Sequence, residues 1–331
     1  MKERLKENIE KYLQNCFNKN IIVIGDVMLD QYFWGNVTRV SPEAPVPVVD
    51  IISETYHLGG AANVAQNLKS LGCNPILCGL LGDDNNGKRF LEICEKTGLE
   101  TVGLYQHTDR ITTIKTRVFG NDQQIVRMDK EIIEPISSDA EEFLLSTLKS
   151  FSKIDGIIFE DYDKGTITKK IIDKIIAFAK NNNIPTFVDP KFANFSNYNN
   201  VTLFKPNKKE TEAGLNTKLN TEKNIIDAGN TIIKNYNIEN ALITLGADGM
   251  ILFEKNGNTT LIPTVAQKIA DVSGAGDTVI ATLTAMYIGG VPFNEAAIIS
   301  NIASGLVCEK PGIIAIDKNE LIKTIKNSSA S

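Results

Sequence analysis

Asp271-Val272-Ser273-Gly274-Ala275-Gly276-Asp277 is the stretch on which the reading of this chain turns. After it, Val279, Ile280, Leu283, Met286 and Tyr287 fall on one face at helical spacing. Gly289, Gly290 and Pro292 then stop that helix. Two glycines and a carboxylate therefore sit at a helix start, where backbone N–H groups point out unpaired at the positive end of the dipole. Such a start binds anions, phosphate above all, and glycines let a phosphate come close to the backbone. Asp277 would repel that anion, so it asks for a role of its own. Taking a proton from an attacking hydroxyl fits. The alternative is a plain helix start, capped by Ser273 or Asp271, with Asp277 simply favourable in the first turn.

The 331 residues are enough for one large α/β domain or two smaller ones. Apolar residues make up 42% and charged residues 23%, which places the chain among ordinary globular proteins. The formal net charge of -5 is mixed along the chain and marks no nucleic-acid footprint. The five cysteines form no CxxC pair, and His57 and His107 are too few to complete a zinc set. They read as free thiols of a reducing compartment. Met1 to Asn20 is charged and helix-patterned, with no leader-like apolar core. No run approaches the roughly 18 apolar residues of a membrane span. A cytoplasmic protein without membrane or nucleic-acid partners is expected.

Apolar runs of strand length alternate with helix-patterned segments. Ile21–Gly25, Pro75–Leu81, Gly156–Phe159, Pro185–Val188, Val201–Phe204 and Ala241–Leu245 read as strands. Ala61–Leu71 and segments around Gly87–Thr97, Ala140–Phe151, Thr168–Lys180, Ile225–Tyr236, Asn294–Val307 and Lys318–Lys326 read as helices. This alternation predicts an α/β fold, a central and mainly parallel sheet flanked by helices, with ligands at the carboxyl ends of the strands. Residues 1–20 read as a helical extension and 21–331 as one domain. Two β-rich stretches, about 31–52 and 111–130, break the alternation. The second is hairpin-like about Gly120-Asn121-Asp122. They predict a small β-sheet lid, for which an edge extension of the main sheet is the alternative.

Other constellations follow strand ends. Asp26 and Asp30 could hydrogen-bond a polyhydroxy ligand, or lie in a solvated turn. Gly59 and Gly60 precede the helix that carries Asn63, as sugar contacts or as a tight loop. They are not a dinucleotide fingerprint. Asn207, Lys208, Lys209 and Glu210 open a helix after Pro206. Asn207 and Glu210 share a face and could hold a hydrated Mg²⁺ through water, or simply cap the helix. Thr244, Gly246 and Gly249 leave room for a nucleotide phosphate, or form a tight turn. Lys115, Arg117 and Arg127 alternate with apolar residues in the lid strands, as phosphate ligands or as a solvated face.

Taken together and in this order, GGAANVAQNLKSLG from Gly59 and DVSGAGDTV from Asp271 make the chain similar to the PfkB/ribokinase family of carbohydrate kinases, from about Ile21 to Asp317. Within it, SPEAPVPVV from Ser41, NDQQIVRMD from Asn121, EDYDKG from Glu160 and DPK from Asp189 resemble the D-glycero-D-manno-heptose-7-phosphate kinase branch. The resemblance implies a ribokinase-like fold, ATP and Mg²⁺ as cofactors, a monovalent cation such as K⁺, and a homodimer through the lid. It implies Asp277 as catalytic base and Gly274, Ala275 and Gly276 as an anion hole. Asn207, Lys208, Lys209, Glu210, Thr244, Gly246, Gly249 and Asn301 would serve the nucleotide. Asp30, Gly59, Gly60 and Asn63 would meet the sugar, with Arg127, Asp161, Lys164 and Lys191 at the heptose and its 7-phosphate. The implied reaction is phosphorylation of the heptose 7-phosphate at O1, for lipopolysaccharide precursor synthesis. A kinase for fructose, ribose or a nucleoside, and a silent sugar- or nucleotide-binding regulator, are the alternatives. The chain departs from the branch in ending at Ser331 without the cytidylyltransferase-like domain, so only the kinase step is expected. It also departs in Pro311-Gly312-Ile313 after Lys310, and in Glu160 where a small residue is usual.

Overall fold

The computed structural model describes residues 2–121, 123–265 and 269–327. The chain runs α1 (Lys2–Cys16), β1 (Asn20–Gly25), β2 (Val27–Val40), β3 (Pro47–Gly60), α2 (Ala61–Ser70), β4 (Asn74–Gly82), α3 (Asn85–Thr97) and β5 (Gly103–His107). Next come β6 (Ile114–Gly120), β7 (Gln123–Lys130), α4 (Ser138–Ser150), β8 (Gly156–Glu160), α5 (Lys169–Asn181), β9 (Thr186–Asp189) and β10 (Leu203–Phe204). The last third holds α6 (Lys208–Gly214), α7 (Glu222–Tyr236), β11 (Asn240–Thr244), β12 (Met250–Glu254), β13 (Thr259–Ile262), α8 (Ala275–Ile288), α9 (Phe293–Cys308) and α10 (Lys318–Asn327).

Nine strands form the main sheet in the order β13-β12-β11-β10-β9-β8-β1-β4-β5. All neighbours from β11 to β5 pair in parallel; β12 and β13 close one edge antiparallel. Central strands are buried on both faces, so they read as continuous apolar runs. Along β1, Ile21 and Val23 join one core, while Ile22 and Ile24 join the other. The chain moves from β1 out to β4 and β5, then returns to β8 on β1's other side. This is the topological switch point, where open α/β sheets place their ligands.

The segment before Ile21 is part of the main core. On α1, Leu5, Ile9, Tyr12, Leu13 and Cys16 pack into the same cluster as α8 and α10. Asn15 Nδ2 donates to the Gly289 carbonyl at 3.0 Å, which fastens α1 to the end of α8. Among the described residues, no helix is long and apolar enough to cross a membrane.

The second sheet stands apart, with the order β3-β2-β6-β7. Its strands run longer than the sequence suggests. β2 begins immediately after Asp26, and β3 continues to Gly60, with Val27 opposite Gly60 and Met28 opposite Gly59. The two glycines are thus the end of a strand rather than a free loop. The β6–β7 hairpin turns about Gly120 and Asn121; Asp122, expected in the same turn, lies outside the described residues. The lid leaves Val40, Ile51, Val126 and Met128 exposed.

Candidate functional site

The start of α8 lies between two cavities. Gly274 is its N-cap, in the left-handed region at φ 80°, and no side chain caps the helix. Neither Ser273 nor Asp271 serves as that cap. The Asp271 carboxylate instead accepts from Ser273 N–H at 2.8 Å and from Gly312 N–H at 3.2 Å, tying the loop before α8 to the segment before α10. A Cβ on Gly274 would lie 2.6 Å from Asn63 Nδ2, so only glycine fits this close approach. The helix start then presents Gly276 and Asp277 at the positive end of its dipole.

Asp277 is 3% exposed and held from two sides. Asn63 Nδ2 on α2 donates to one carboxylate oxygen at 2.8 Å, and Tyr162 Oη donates to the other at 2.8 Å. Asn63 is itself oriented by Asn67 Nδ2, whose Oδ1 takes Thr278 Oγ1 at 3.2 Å and Ile316 N–H at 3.0 Å. Burial pushes the Asp277 carboxyl up to about 6; the two donors pull against that shift, and Asp189 adds to it. A carboxylate poised there is ionised at neutral pH yet basic enough to accept a proton.

On one side of Asp277 is a cavity of ≈ 460 Å³ under the lid. Asp30, Gly60, Arg127, Lys164, Lys191, Gly274 and Asp277, all marked by the sequence, line it. Lys115 and Arg117 add two further cations from β6. Every one of these cations holds an acid. Arg117 is paired with Asp30, and Lys191 with Glu210. Lys164 Nζ lies 2.7 Å from Glu131, Lys115 Nζ 3.4 Å from Asp129, and Arg127 grips Asp129 through two nitrogens at 2.8 and 2.6 Å. That grip holds Asp129 down at about 2. Burial pushes Asp30 up despite Arg117. At Lys191 burial opposes the charge, but Asp189 and Glu210 outweigh it and hold the ammonium up.

On the other side is a smaller cavity of ≈ 200 Å³. Thr244, Gly246, Gly249, Ala275, Gly276 and Asn301 line it, together with apolar Met250, Ile269, Val272 and Val279. Asn301 Nδ2 donates to the Pro263 carbonyl at 2.7 Å. A small polar throat beside apolar walls suits a phosphate chain ending in a flat base.

Several sequence expectations need correction. Asn63 does not line the sugar-side cavity, because its amide is spent on Asp277. Gly59 does not line it either; a Cβ there would lie 2.0 Å from Asp30 Oδ2, so the glycine makes room for that carboxylate. Asp161 faces away. Its carboxylate accepts from Tyr198 Oη at 2.8 Å, Asn194 Nδ2 at 3.0 Å and Asp163 N–H at 2.9 Å, a buried structural junction. Asp26 is also structural: it accepts the amides of Tyr162, Lys164 and Thr166 at 2.9, 3.0 and 3.1 Å, and so shapes the loop after β8.

At α6 the helix-capping alternative is what the structure shows. Asn207 Oδ1 accepts from Glu210 N–H at 2.9 Å, and Glu210 returns a carboxylate oxygen to Asn207 N–H at 2.8 Å. The other Glu210 oxygen holds Lys191. With both oxygens engaged, Glu210 can reach a metal only through water or by releasing a partner. Asn207 still lies against the second cavity's rim through its bridge to Thr244. Lys208 and Lys209 line neither cavity; Lys209 opens onto a separate surface hollow beside Glu212.

Two residues escaped the sequence reading. Tyr162, in the run after β8, holds Asp277 across the chain. Lys205, at the end of β10, is buried and lies 2.7 Å from Asp189. A Cβ on Gly276 would sit 3.5 Å from Lys205 Nζ, so the ammonium stands beside the helix start. A lysine directly continuing a buried strand is the signal that could have marked it.

This arrangement agrees with the comparisons to known proteins. The sequence profile described as pfkB family carbohydrate kinase matches residues 18–319. The chain belongs to that family. A relative named Bifunctional protein HldE, from Trichlorobacter lovleyi, is 39% identical over 321 residues, 97% of this chain and 65% of its own length. The Helicobacter pylori protein of the same name is 41% identical over 295 residues, 89% of this chain and 64% of its own. The chain therefore spans a little under two thirds of these relatives. Among solved structures, phosphofructokinase-2 from Escherichia coli in complex with potassium superposes with TM-score 0.76 at 16% identity, over 94% of this chain and 100% of that one. Ribokinase from Arabidopsis thaliana complexed with ribose and ATP gives TM-score 0.74 at 18% identity, over the same shares of the two chains. These likenesses show that this pfkB-family chain has the ribokinase-like fold.

Proposed function

We propose that this pfkB-family chain catalyses ATP-dependent phosphorylation of a sugar phosphate, D-glycero-D-manno-heptose 7-phosphate, at O1, giving heptose 1,7-bisphosphate for lipopolysaccharide core precursors. The observation that carries the reading is the start of α8, where Asp277 lines a cavity rich in cations and the adjacent Ala275 and Gly276 line a second cavity. The nucleotide supplies the phosphoryl group, with Mg²⁺ to neutralise its charge.

The residues fit these ligands. The glycines of the smaller cavity leave its throat open, and its apolar wall meets a base. Asp189, whose carboxylate faces Gly276, and Glu210 through water would hold the metal. Asp277 takes the proton as the sugar hydroxyl attacks, while Asn63 and Tyr162 hold its oxygens toward that hydroxyl. Amides of the helix start and Lys205 stabilise charge that grows on the transferring group. Under the lid, Lys115, Arg127 and Lys164 exchange their acid partners for the substrate's phosphate. The lid keeps water out and so limits futile ATP hydrolysis.

Two finer elements belong to the same proposal. A monovalent cation such as K⁺ would act at the Asp271–Gly312 junction, and turnover with and without K⁺ tests it. A homodimer would cover the exposed Val40, Ile51, Val126 and Met128 of the lid, and light scattering of wild type and Met128→Lys tests it.

The decisive assay offers purified protein Mg·ATP and a panel of sugars and sugar phosphates, with ADP release and ³¹P NMR of product. Turnover on the heptose 7-phosphate with phosphorylation at O1 is expected. Silence on every heptose phosphate beside good turnover on another sugar would overturn the substrate assignment.

A further inference from the structure

Arg110 lies in the connection between β5 and β6, just ahead of the lid, and lines neither cavity. The lid cations hold acids; the half-buried guanidinium of Arg110 holds backbone carbonyls. One nitrogen donates to the Glu134 carbonyl at 3.0 Å. The other donates to the Ile132 carbonyl at 3.4 Å and to the Lys164 carbonyl. Ile132 and Glu134 follow β7, where the chain leaves the lid, and Lys164 follows β8. One side chain thus joins the entry to the lid, the exit from it, and the loop that carries Tyr162 and Lys164. Arg suits this place because its planar fork aims several donors at once, which an ammonium on a flexible stem does less well.

That loop is gripped at one residue from both ends. The Lys164 N–H donates to Asp26 at 3.0 Å, while the Lys164 carbonyl accepts from Arg110. The residues on either side, Asp163 at φ 55° and Gly165 at φ 93°, lie in the left-handed region. A non-glycine residue stays there at a cost, so its surroundings must fix it. A Cβ on Gly165 would collide with the Glu134 carbonyl, and Ile136 N–H donates to the Gly165 carbonyl at 3.0 Å. The exit from the lid therefore packs directly on the loop that reaches Asp277.

We propose that Arg110 is a positioning residue for Tyr162 and Lys164, and through them for proton acceptance at Asp277 and for the grip on the substrate's phosphate. Without it the loop loses its registry with the lid. Tyr162 then no longer holds its Asp277 oxygen, and Lys164 no longer faces the sugar-side cavity. This rests on the reading of Asp277 as the base and of Lys164 as a phosphate ligand. One substitution should therefore cause two separate deficits, in kcat by way of Tyr162 and in KM for the sugar phosphate by way of Lys164. The nucleotide-side cavity is lined by none of the residues that Arg110 holds, so ATP should be spared.

The test joins hydrogen–deuterium exchange to double-mutant kinetics in Arg110→Met and Arg110→Lys. In Arg110→Met the amides of residues 160–168 should exchange roughly tenfold faster or more, with those of α8 unchanged. kcat should fall about fivefold in the wild-type background, but less than about twofold on top of Tyr162→Phe, because residues acting through one contact are not additive. KM for the sugar phosphate should rise about three- to tenfold, and KM for ATP should stay within about twofold. Arg110→Lys reaches fewer of the three carbonyls and should restore part of each loss. If Arg110→Met does not fold, Arg110→Lys carries both arms, with smaller changes in the same directions. Three results would overturn the proposal: exchange of the loop unchanged, kcat losses of Arg110→Met and Tyr162→Phe that multiply, or a fall in thermal stability alone with kcat and both KM values kept. The exchange is read without substrate, so it stands whether or not the sugar panel shows turnover, and the two readings fail separately.

Discussion

The two sides of Asp277 are built on different principles. On the helix side, each Asp277 oxygen has a fixed donor, and each donor is held by further hydrogen bonds. Asn63 comes from α2 and is locked by Asn67, while Tyr162 sits on a loop that Asp26 holds by three amides. On the lid side, the cations Lys115, Arg127 and Lys164 rest on acids that are themselves shared, Asp129 and Glu131. Such part-exposed pairs contribute little each and exchange partners easily. The first arrangement is preorganised for a proton transfer, where small displacements are costly. The second is a reserve of positive charge that an arriving anion can redirect.

That contrast orders the expected effects. The largest belongs to Asp277→Asn, which should lower kcat by roughly 10²- to 10⁴-fold while leaving the affinity for both ligands near wild type. A kcat near wild type would remove Asp277 from the chemistry. Next comes Tyr162→Phe. Losing a hydrogen bond to a charged group should cost about tenfold in kcat at neutral pH and shift the acidic limb of the profile upward. An unchanged limb would show that the phenol does not tune Asp277. The smallest is Arg127→Ala. It should raise KM for the sugar phosphate about three- to tenfold, leave kcat within about twofold, and spare any unphosphorylated sugar. An equal effect on a free sugar would mean that Arg127 shapes the lid rather than gripping phosphate.

The helix side was also the more legible from sequence, but only in part. The start of α8 could be read because glycines, an acid and the helical spacing behind them are local features. The strand-and-helix alternation and the separate small sheet were legible for the same reason. Partnerships were not. Asn63 and Asp277 are 214 residues apart, and nothing local marks Tyr162, which lies between Asp161 and Asp163. The resemblance implies Asp161 as a substrate contact, yet its carboxylate is held in the core by Tyr198 and Asn194, while the phenol of the next residue, Tyr162, reaches Asp277. Asn207 and Glu210 show the opposite limit. One spacing serves both a water-mediated metal contact and a capping box, and the capping box is what forms.

The central claim is that one carboxylate at the start of α8 accepts the substrate proton between two separate cavities. Single-turnover phosphoryl transfer measured against pH, in wild type and Asp277→Asn, tests it most directly. Asp277 works when ionised, so the rate should be full above its raised pKa and fall as pH drops through about 6. The Asn variant should retain a small rate without that limb. A wild-type rate that stays flat through that range, or the same limb persisting in Asp277→Asn, would contradict the account.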